Sequence, residues 1–530
     1  MRRRIVLYAL CGIVFFALLA TFVGWVALRL QAPLPLPDLD RDIEIVIDGV
    51  TVVNPGLGRT PNRRVVLGGD RVRRIGTAPK ERAKSAAHPW AGAYMLPGLV
   101  DMHVHLPPEV QLLSQADLFG FLFLLHGVTS VRETGSIDGT SLDFRRRVEE
   151  GSLVGPRVMA CGPFIDGDPA VWPNSVVARD PVQARAAVEE LALLGVDCVK
   201  IYSRMSAEAL AGVKEAAARR GLHVVGHVPD GLSFEEARLS DTQHLGGFDL
   251  LTGEADAAEA LSFKARAAAR TAAVVRASLE DDLAHTPTLV VFERLAAMAD
   301  YETQRNDPVG RLLPRFYRDV VWHPQYGLPF LRAMGPASYA AIEQGRALRF
   351  QRVAALYTAG VRVHAGTDVQ TPFVVPGASL HEELRLLVEA GIPTEAVWAL
   401  ATRGAGEFLG VPLLGTVQVG APADLLIFRE DPTRDLAALG TLEAVVAQGH
   451  LYTRRALDEA LAAYQSRFES RLFDGLSMAV GRMAMRSLFG GPEFALLEER
   501  GSAVGPGDLL DPEAFVHKLP GAPGTRGNHP

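Results

Sequence analysis

The sequence predicts an α/β protein: a (β/α)8 barrel, a small β-sandwich domain assembled from both flanks of that barrel, and an N-terminal transmembrane helix. Three observations predict it. Eight apolar strand candidates, most of them separated by helical stretches, run between Leu96 and Gly366. Short β-branched runs broken by Gly, Asn and Pro precede that alternation and return after it. A long uncharged apolar run, Ile5 to Leu28, follows Arg2, Arg3 and Arg4.

The apolar run is long enough for a helix crossing about 30 Å of hydrocarbon. The arginines should stay in the cytoplasm, which places the rest of the chain on the extracytoplasmic side of the cell membrane, periplasmic or extracellular. A cleaved signal peptide would have a shorter apolar core and a small-residue exit site. This run is too long and no A-x-A pattern follows it, so residues 1–30 are read as a retained single-pass anchor. Cys11 fits a buried thiol in that helix better than a lipidation site. Residues 31–42 form a linker, stiffened by the prolines between Gln31 and Pro37.

Residues 43–97 and 413–455 supply the β-domain. Its strand candidates are Ile43 to Ile47, Thr51 to Val53 and Val65 to Leu67 at one end, with Leu425 to Phe428 and Leu442 to Ala447 at the other. The barrel occupies 98–412. Its candidates are Leu96–Val104, Val128–Arg132, Arg157–Cys161, Cys198–Tyr202, His223–His227, Asp241–His244, Thr288–Phe292 and Val361–Gly366; Val182–Leu194 and Ala207–Arg220 are the clearest helices between them. Tyr301 to Tyr339 is too long for a plain connection and reads as a helical insertion at about 295–340, near the barrel mouth. Residues 456–530 are a helical extension and a tail. Leu457 to Leu472 and the apolar set Met478, Val480, Met483, Met485 and Leu488 suggest two amphipathic helices, for which docking on the barrel is a commoner role than dimerisation or lipid contact. Gly521 to Pro530 reads as disordered.

A chain of 530 residues exceeds one compact core. A net charge of -7 gives no basic face of the kind nucleic-acid binders carry. The three cysteines, Cys11, Cys161 and Cys198, lie far apart, so no disulfide framework is expected, and no Cys/His finger spacing exists. A metal would have to be held by histidine, carboxylate or a less usual ligand.

Such residues cluster at strand ends. In Pro97-Gly98-Leu99-Val100-Asp101-Met102-His103-Val104-His105 an apolar strand ends in two histidines spaced by one residue, and period-two alternation points both the same way. A His-x-His pair alone is often core packing. His227 and His244 end two further strands, however, and Asp368 follows a third. At the carboxyl ends of barrel strands these groups would meet at the mouth, where barrels keep their chemistry. A metal accounts for them together. Lys200, inside the apolar strand Asp197-Cys198-Val199-Lys200-Ile201-Tyr202, is the sharpest single clue, since a lysine within a barrel needs a buried partner. Cys198 is expected to point away from it.

The ordered set His103, His105, Lys200, His227, His244 and Asp368 resembles the amidohydrolase superfamily, and is most similar to its imidazolonepropionase-like and prolidase-like branch. Supporting stretches are Thr129-Ser130-Val131-Arg132-Glu133-Thr134-Gly135, Ala365-Gly366-Thr367-Asp368, Leu380-His381-Glu382-Glu383-Leu384 and Gly420-Ala421-Pro422-Ala423-Asp424-Leu425, so the resemblance covers roughly residues 43–455. It implies two divalent metal ions, with zinc the expected metal, and a CO2-derived carbamate on Lys200 that bridges them. His103, His105 and Asp368 would hold one ion, and His227 and His244 the other. Asp368 would take a proton from a metal-bridging hydroxide's parent water and deliver it to the leaving group. Val228-Pro229-Asp230 after His227 departs from the His-x-x-Glu arrangement of deaminase-like relatives and argues against a mononuclear deaminase. Arg403-Gly404 stands where relatives often carry asparagine.

Other residues carry weaker readings. Tyr202 shares the face of Lys200 and is a candidate substrate-binding residue. For His364 a core role is commoner, and for Arg132 a structural ion pair is commoner than a hold on a substrate carboxylate. His381 suits a helix N-terminus or a supporting role. Asp166 and Asp168 read as a solvated turn, and His223, His285 and His323 have no supporting context. The expected function is hydrolysis of amides, dipeptides or N-acyl amino acids, by a membrane-anchored enzyme that forms a homo-oligomer or acts alone. Hydrolysis of cyclic amides, lactones or esters is the alternative within the same chemistry. A non-catalytic membrane scaffold is the alternative of another class.

Overall fold

The structure, a computed structural model, describes residues 12–24, 26, 44–79, 90–107, 115–136, 139–248 and 263–489. Four strands open it: β1 (Ile45–Asn54), β2 (Gly58–Gly68), β3 (Arg71–Thr77) and β4 (Tyr94–Pro97). Ten follow in the middle of the chain: β5 (Leu99–Val104), β6 (Val128–Glu133), β7 (Arg157–Ala160), β8 (Ile165–Asp166), β9 (Val176–Val177), β10 (Cys198–Ile201), β11 (His223–Gly226), β12 (Asp241–Gln243), β13 (Ala284–Thr286) and β14 (Arg362–Val363). Three close it: β15 (Leu425–Phe428), β16 (Leu442–Ala447) and β17 (His450–Thr453).

The flanking strands form one mixed seven-stranded sheet in the order β17-β16-β15-β4-β1-β2-β3, not the two facing sheets expected of a sandwich. Strand alternation gives this sheet two apolar faces. Val50, Val52, Met95, Leu425 and Ile427 pack into the sheet's own cluster, while Val53, Leu96, Leu426 and Val445 join the large cluster of the barrel. One sheet can serve both because β15 pairs with β4 and with β16, bringing the late strands against the early ones.

The middle strands run parallel, β5-β6-β7 in one ladder and β14-β13-β12-β11-β10-β8-β9 in the other. Backbone bonds join the two ladders into a closed ring. Asp197 N donates to Ala160 O at 2.8 Å, and Met102 N donates to Ala365 O at 3.0 Å. The strands are buried along nearly their whole length, as a parallel sheet covered by helices requires. The helices Pro181–Leu193 and Ala207–Arg220 lie where the sequence puts them, each begun by a side-chain cap, Asp180 and Ser206 respectively.

Two readings need correction here. The run Thr288–Phe292 is not a strand: the seventh barrel strand is Ala284–Thr286, and Leu289–Ala297 is a helix whose first four residues are all buried. Cys161 and Cys198 form a disulfide, 37 positions apart in sequence. Cys198 and Lys200 are two apart on one strand and therefore share a face; Cys198 packs inside the barrel with Cys161 and Val225.

The insertion is helical, from Tyr301–Arg305 through Pro329–Ala333 to Pro336–Gln344. The extension forms helices Arg454–Phe468 and Arg471–Phe489, and Val480 of the second is buried. Residues 12–24 are helical and expose Ile13, Phe15, Phe16 and Phe22. No helix among the described residues is long and apolar enough to cross a membrane. Most of the remaining apolar run, Cys11, the linker and Gly521 to Pro530 lie outside the described residues.

Candidate metal centre

His103 is the next-to-last residue of β5, which is buried throughout, and His105 is the first residue beyond the strand. Both Nε2 atoms meet the carboxylate of Asp368, at 3.2 Å and 3.0 Å from Oδ1, and lie 3.3 Å from each other. These three residues are a group able to hold a metal ion. Ligand atoms around a tetrahedral ion with bonds of about 2.0–2.1 Å stand about 3.3 Å apart along each edge. The three separations are therefore those of one face of such a site.

Local chain geometry places each group. Asp101 accepts from the amide of His103 at 3.2 Å and from the amide and hydroxyl of Thr367 at 3.0 Å and 2.6 Å, tying the end of β5 to the loop that carries Asp368. Asp368 sits at φ 60, in the left-handed region that non-glycine residues seldom adopt. Gly366 passes so close to β5 that a Cβ would meet the Cβ of His103 at 2.9 Å. Oriented partners hold the ring and carboxylate edges: His105 Nδ1 lies 2.7 Å from Gly135 O, and Thr371 Oγ1 donates to Asp368 Oδ2 at 2.7 Å. The first bond makes Nδ1 the protonated nitrogen and leaves Nε2 of His105 as the lone pair.

His227 and His244 stand alongside. Their rings are 4.9 Å apart, and His244 is 4.7 Å from His103. His227 follows Gly226, where φ is 140 and a Cβ would lie 2.2 Å from Ile201 O. Glycine is the residue that lets β11 end there. At His244 a φ of 55 breaks the strand alternation, and its Nδ1 meets Thr288 Oγ1 at 2.7 Å.

Lys200 is fully buried, and its Nζ donates to Gln243 Oε1 on the adjacent face of β12. The other end of that amide, Gln243 Nε2, is a buried donor with no acceptor among the described residues. An unmade bond at a buried donor costs about 1–3 kcal/mol. A carbamate on Lys200 would bring two oxygens to this spot, so the residues present fit that group. The sequence reading passed over Gln243, although its signal was there: a polar side chain in a short strand, with the same parity as buried Asp241.

Charge at the site follows burial. Burial lowers His103 and His227 well below the imidazole range, so both are neutral lone-pair donors. Burial would raise Asp368, but His103, His105 and His244 outweigh it and hold the carboxyl well below its usual range. Burial pushes Glu133, at the end of β6, up to about 7.

The other expected residues are placed as follows. Tyr202 lies against the site, its ring 4.4 Å from His227. Arg132 is buried in an ion pair with Asp241 and donates to Met102 O at 2.8 Å, so it serves the barrel interior rather than a substrate. His364 is buried beside the same carboxylate, its Nδ1 3.6 Å from Asp241 Oδ2. His381 meets His126 O at 2.7 Å, away from the centre. Asp166 is not a solvated turn: it is buried and accepts from the amides of Gly167, Val171 and Arg204. Asp168 pairs with Arg179 at the surface. His285 bonds Ser278, His223 stacks on Phe408, and His323 belongs to the insertion.

A His-x-His pair, a carboxylate, two further histidines and a lysine toward the carboxyl ends of barrel strands define a class, the metal-dependent barrel hydrolases. The particular family follows from the sequence match. The amidohydrolase family model covers residues 94–451, more than half of the chain, and the protein belongs to that family. It is a hydrolase acting on carbon–nitrogen bonds, of a family that uses divalent metals on small-molecule or peptide substrates. No curated protein matches the chain. Among solved structures, the bottromycin amidohydrolase aligns with a TM-score of 0.63 and 24% identity over 84% of this chain and 93% of its own. A Xaa-Pro dipeptidase with bound methionine aligns at 0.57 and 20% over 78% of this chain and 100% of its own. A prolidase complexed with N-methylphosphonate-L-proline aligns at 0.59 and 20% over the same shares. These likenesses establish a shared fold.

Proposed function

We propose that the protein is a membrane-anchored amide hydrolase whose centre takes two divalent ions bridged by a carbamate on Lys200. The observation that carries this reading is the face formed by His103, His105 and Asp368, with Lys200 and the unsatisfied amide of Gln243 beside it. Bound divalent ions would supply an acidified water and polarise the scissile carbonyl. The chain's own residues do the rest. His103, His105, His227 and His244 present ring nitrogens to the ions; Asp368 accepts a proton at its carboxylate and returns it to the departing nitrogen. Thr371 keeps that carboxylate aimed, and Tyr202 bounds the space where the substrate lies.

The Cys161–Cys198 disulfide supports placement outside the cytoplasm, because such bonds persist in oxidising compartments. The uncharged run from Ile5 to Leu28 behind Arg2–Arg4 supports the anchor. The substrate is a small amide; dipeptides and N-acyl amino acids are the class that the prolidase-like resemblance suggests.

Elemental analysis of the detergent-purified full chain, prepared with bicarbonate and zinc, tests the centre. The expected result is about two metal equivalents in the wild type and a clear fall in Lys200→Ala. One equivalent in both proteins would make Lys200 structural and sink the bridged centre.

A further inference from the structure

A small cavity opens directly onto Asp368 and His105, and its walls state what it can hold. It measures about 90 Å³. Its apolar walls are Leu106, Phe164, Trp172, Tyr202, Leu328 and Phe330. Phe164 packs edge-on against Tyr202 at 5.6 Å, and Trp172 against Tyr202 at 6.4 Å, so the aromatic side is a connected wall. Two of its polar groups have partners already: the Thr371 hydroxyl donates to Asp368, and Ser136 Oγ lies 3.3 Å from Ser141 Oγ.

Among the described residues no lysine or arginine lines this cavity. The undescribed stretches 108–114, 137–138 and 249–262, which interrupt the barrel, contain none in sequence either. The arginines of the insertion and of helix Arg471–Phe489, such as Arg332, Arg482 and Arg486, line a different cavity of about 780 Å³. Phe489 belongs to that second cavity and touches Trp172 of the first, with rings 6.2 Å apart. Aromatic rings thus stand between the arginines and the metal ligands.

That arrangement bears on which amides fit. In a dipeptide or an N-acyl amino acid the free carboxylate carbon is about 2.5 Å from the scissile nitrogen, two covalent bonds away. Such a carboxylate cannot avoid the space next to Asp368. Buried there it would face rings, hydroxyls and an amide, with no lysine or arginine among the described lining residues to pair with and with the ions' charge already met by Asp368 and the carbamate, which is unfavourable for an ionised group. A compact apolar group suits the same walls, and the volume is below the 150 Å³ cavity that accepts benzene.

We propose that the group this enzyme accepts beside the scissile bond is compact, apolar and uncharged, so that its substrates are neutral amides such as blocked peptides or amides of small cyclic and branched amines, in preference to free dipeptides. This rests on the amide-hydrolase reading and sets aside, within it, the free dipeptides and N-acyl amino acids that the resemblance suggests.

The test uses two phosphonate ligands that differ by one carboxylate, N-methylphosphonate-L-proline and N-methylphosphonate-pyrrolidine, titrated calorimetrically into the zinc-loaded full chain. The pyrrolidine compound is expected to bind at least tenfold more tightly, and Phe330→Arg to shift the ratio at least tenfold toward the proline compound. Equal or tighter binding of the proline compound by the wild type overturns the proposal. Binding of neither compound overturns the fit of a compact ring to the cavity. An unchanged ratio in Phe330→Arg overturns the assignment of this cavity as the place where the group sits. Metal content, measured on the same samples, reports separately on the two-metal reading: a protein that holds two equivalents yet prefers the proline compound refutes the specificity alone.

Discussion

Arg132→Met should destabilise the protein by about 3–5 kcal/mol at pH 8, the range for removing one partner of a buried ion pair. Arg132 is 1% exposed and Asp241 fully buried, so water cannot replace the lost guanidinium. Thr286 Oγ1 still donates to Asp241 Oδ2 at 2.7 Å, and His364 stands 3.6 Å away; neither is a fixed cation at that pH. In the native chain burial pushes Asp241 up, but Arg132 and His364 more than reverse this and hold it well below the carboxylate range. Its contribution is therefore present above the unfolded-state value near 4 and is lost only as pH falls through the depressed folded value. Without Arg132 the effect of burial remains, the folded value rises above the unfolded one, and the sign inverts. The variant should lose stability relative to wild type as pH climbs from about 4, and the gap should narrow below that. Urea unfolding of both proteins at pH 4.5 and pH 8, at saturating zinc, measures it. Adding Asp241→Asn should recover more than half of the loss, because the buried charge has gone. A loss below about 1 kcal/mol, the size of an ordinary substitution, or one that is the same at both pH values, would refute the reasoning.

Gln243→Leu removes the amide whose oxygen accepts from Lys200 and whose Nε2 is the spare buried donor, and should weaken metal retention about 10–100-fold; the 13C carbamate signal from labelled bicarbonate should fall in parallel, and an undiminished signal would remove Gln243 from the centre. Asp368→Asn keeps the shape but removes the proton acceptor, and should cut kcat at least about 100-fold in any amide assay; a drop in KM alone would contradict the role. Cys161→Ser/Cys198→Ser opens a closed loop of 37 positions and should cost about 2–4 kcal/mol, read as a lowered thermal midpoint that reductant reproduces in the wild type.

What the sequence made legible followed from periodicity. Seven of the eight barrel strands lie within or against the apolar runs that suggested them, and His105, His227 and His244 follow directly on three of them. Thr288–Phe292 failed for a physical reason: Leu289 to Phe292 are buried on every side, so the run has neither the period of a strand nor that of a helix. Thr288, at φ 47, turns the chain there, and buried Glu383 accepts from Val290 N at 2.8 Å to satisfy the new helix start. The disulfide was hidden because Cys161, just after β7, and Cys198, at the start of β10, are separated by two short strands and a helix, so proximity in space leaves no mark on spacing. Asp166 was misjudged because a Gly/Pro loop usually meets water, whereas here three backbone amides turn inward to a buried carboxylate.

The bond from Thr367 to Asp101 joins positions 266 apart, and the metal face is tied together across the same span. During synthesis, therefore, His103 and His105 emerge from the ribosome long before Asp368 exists. Until then the chain holds imidazoles without the carboxylate that completes the face. The complete set of donors arrives with the last barrel strand, when the ring closes. An ion held by this face would therefore be taken up late, once the loop carrying Asp368 has closed onto the first strand.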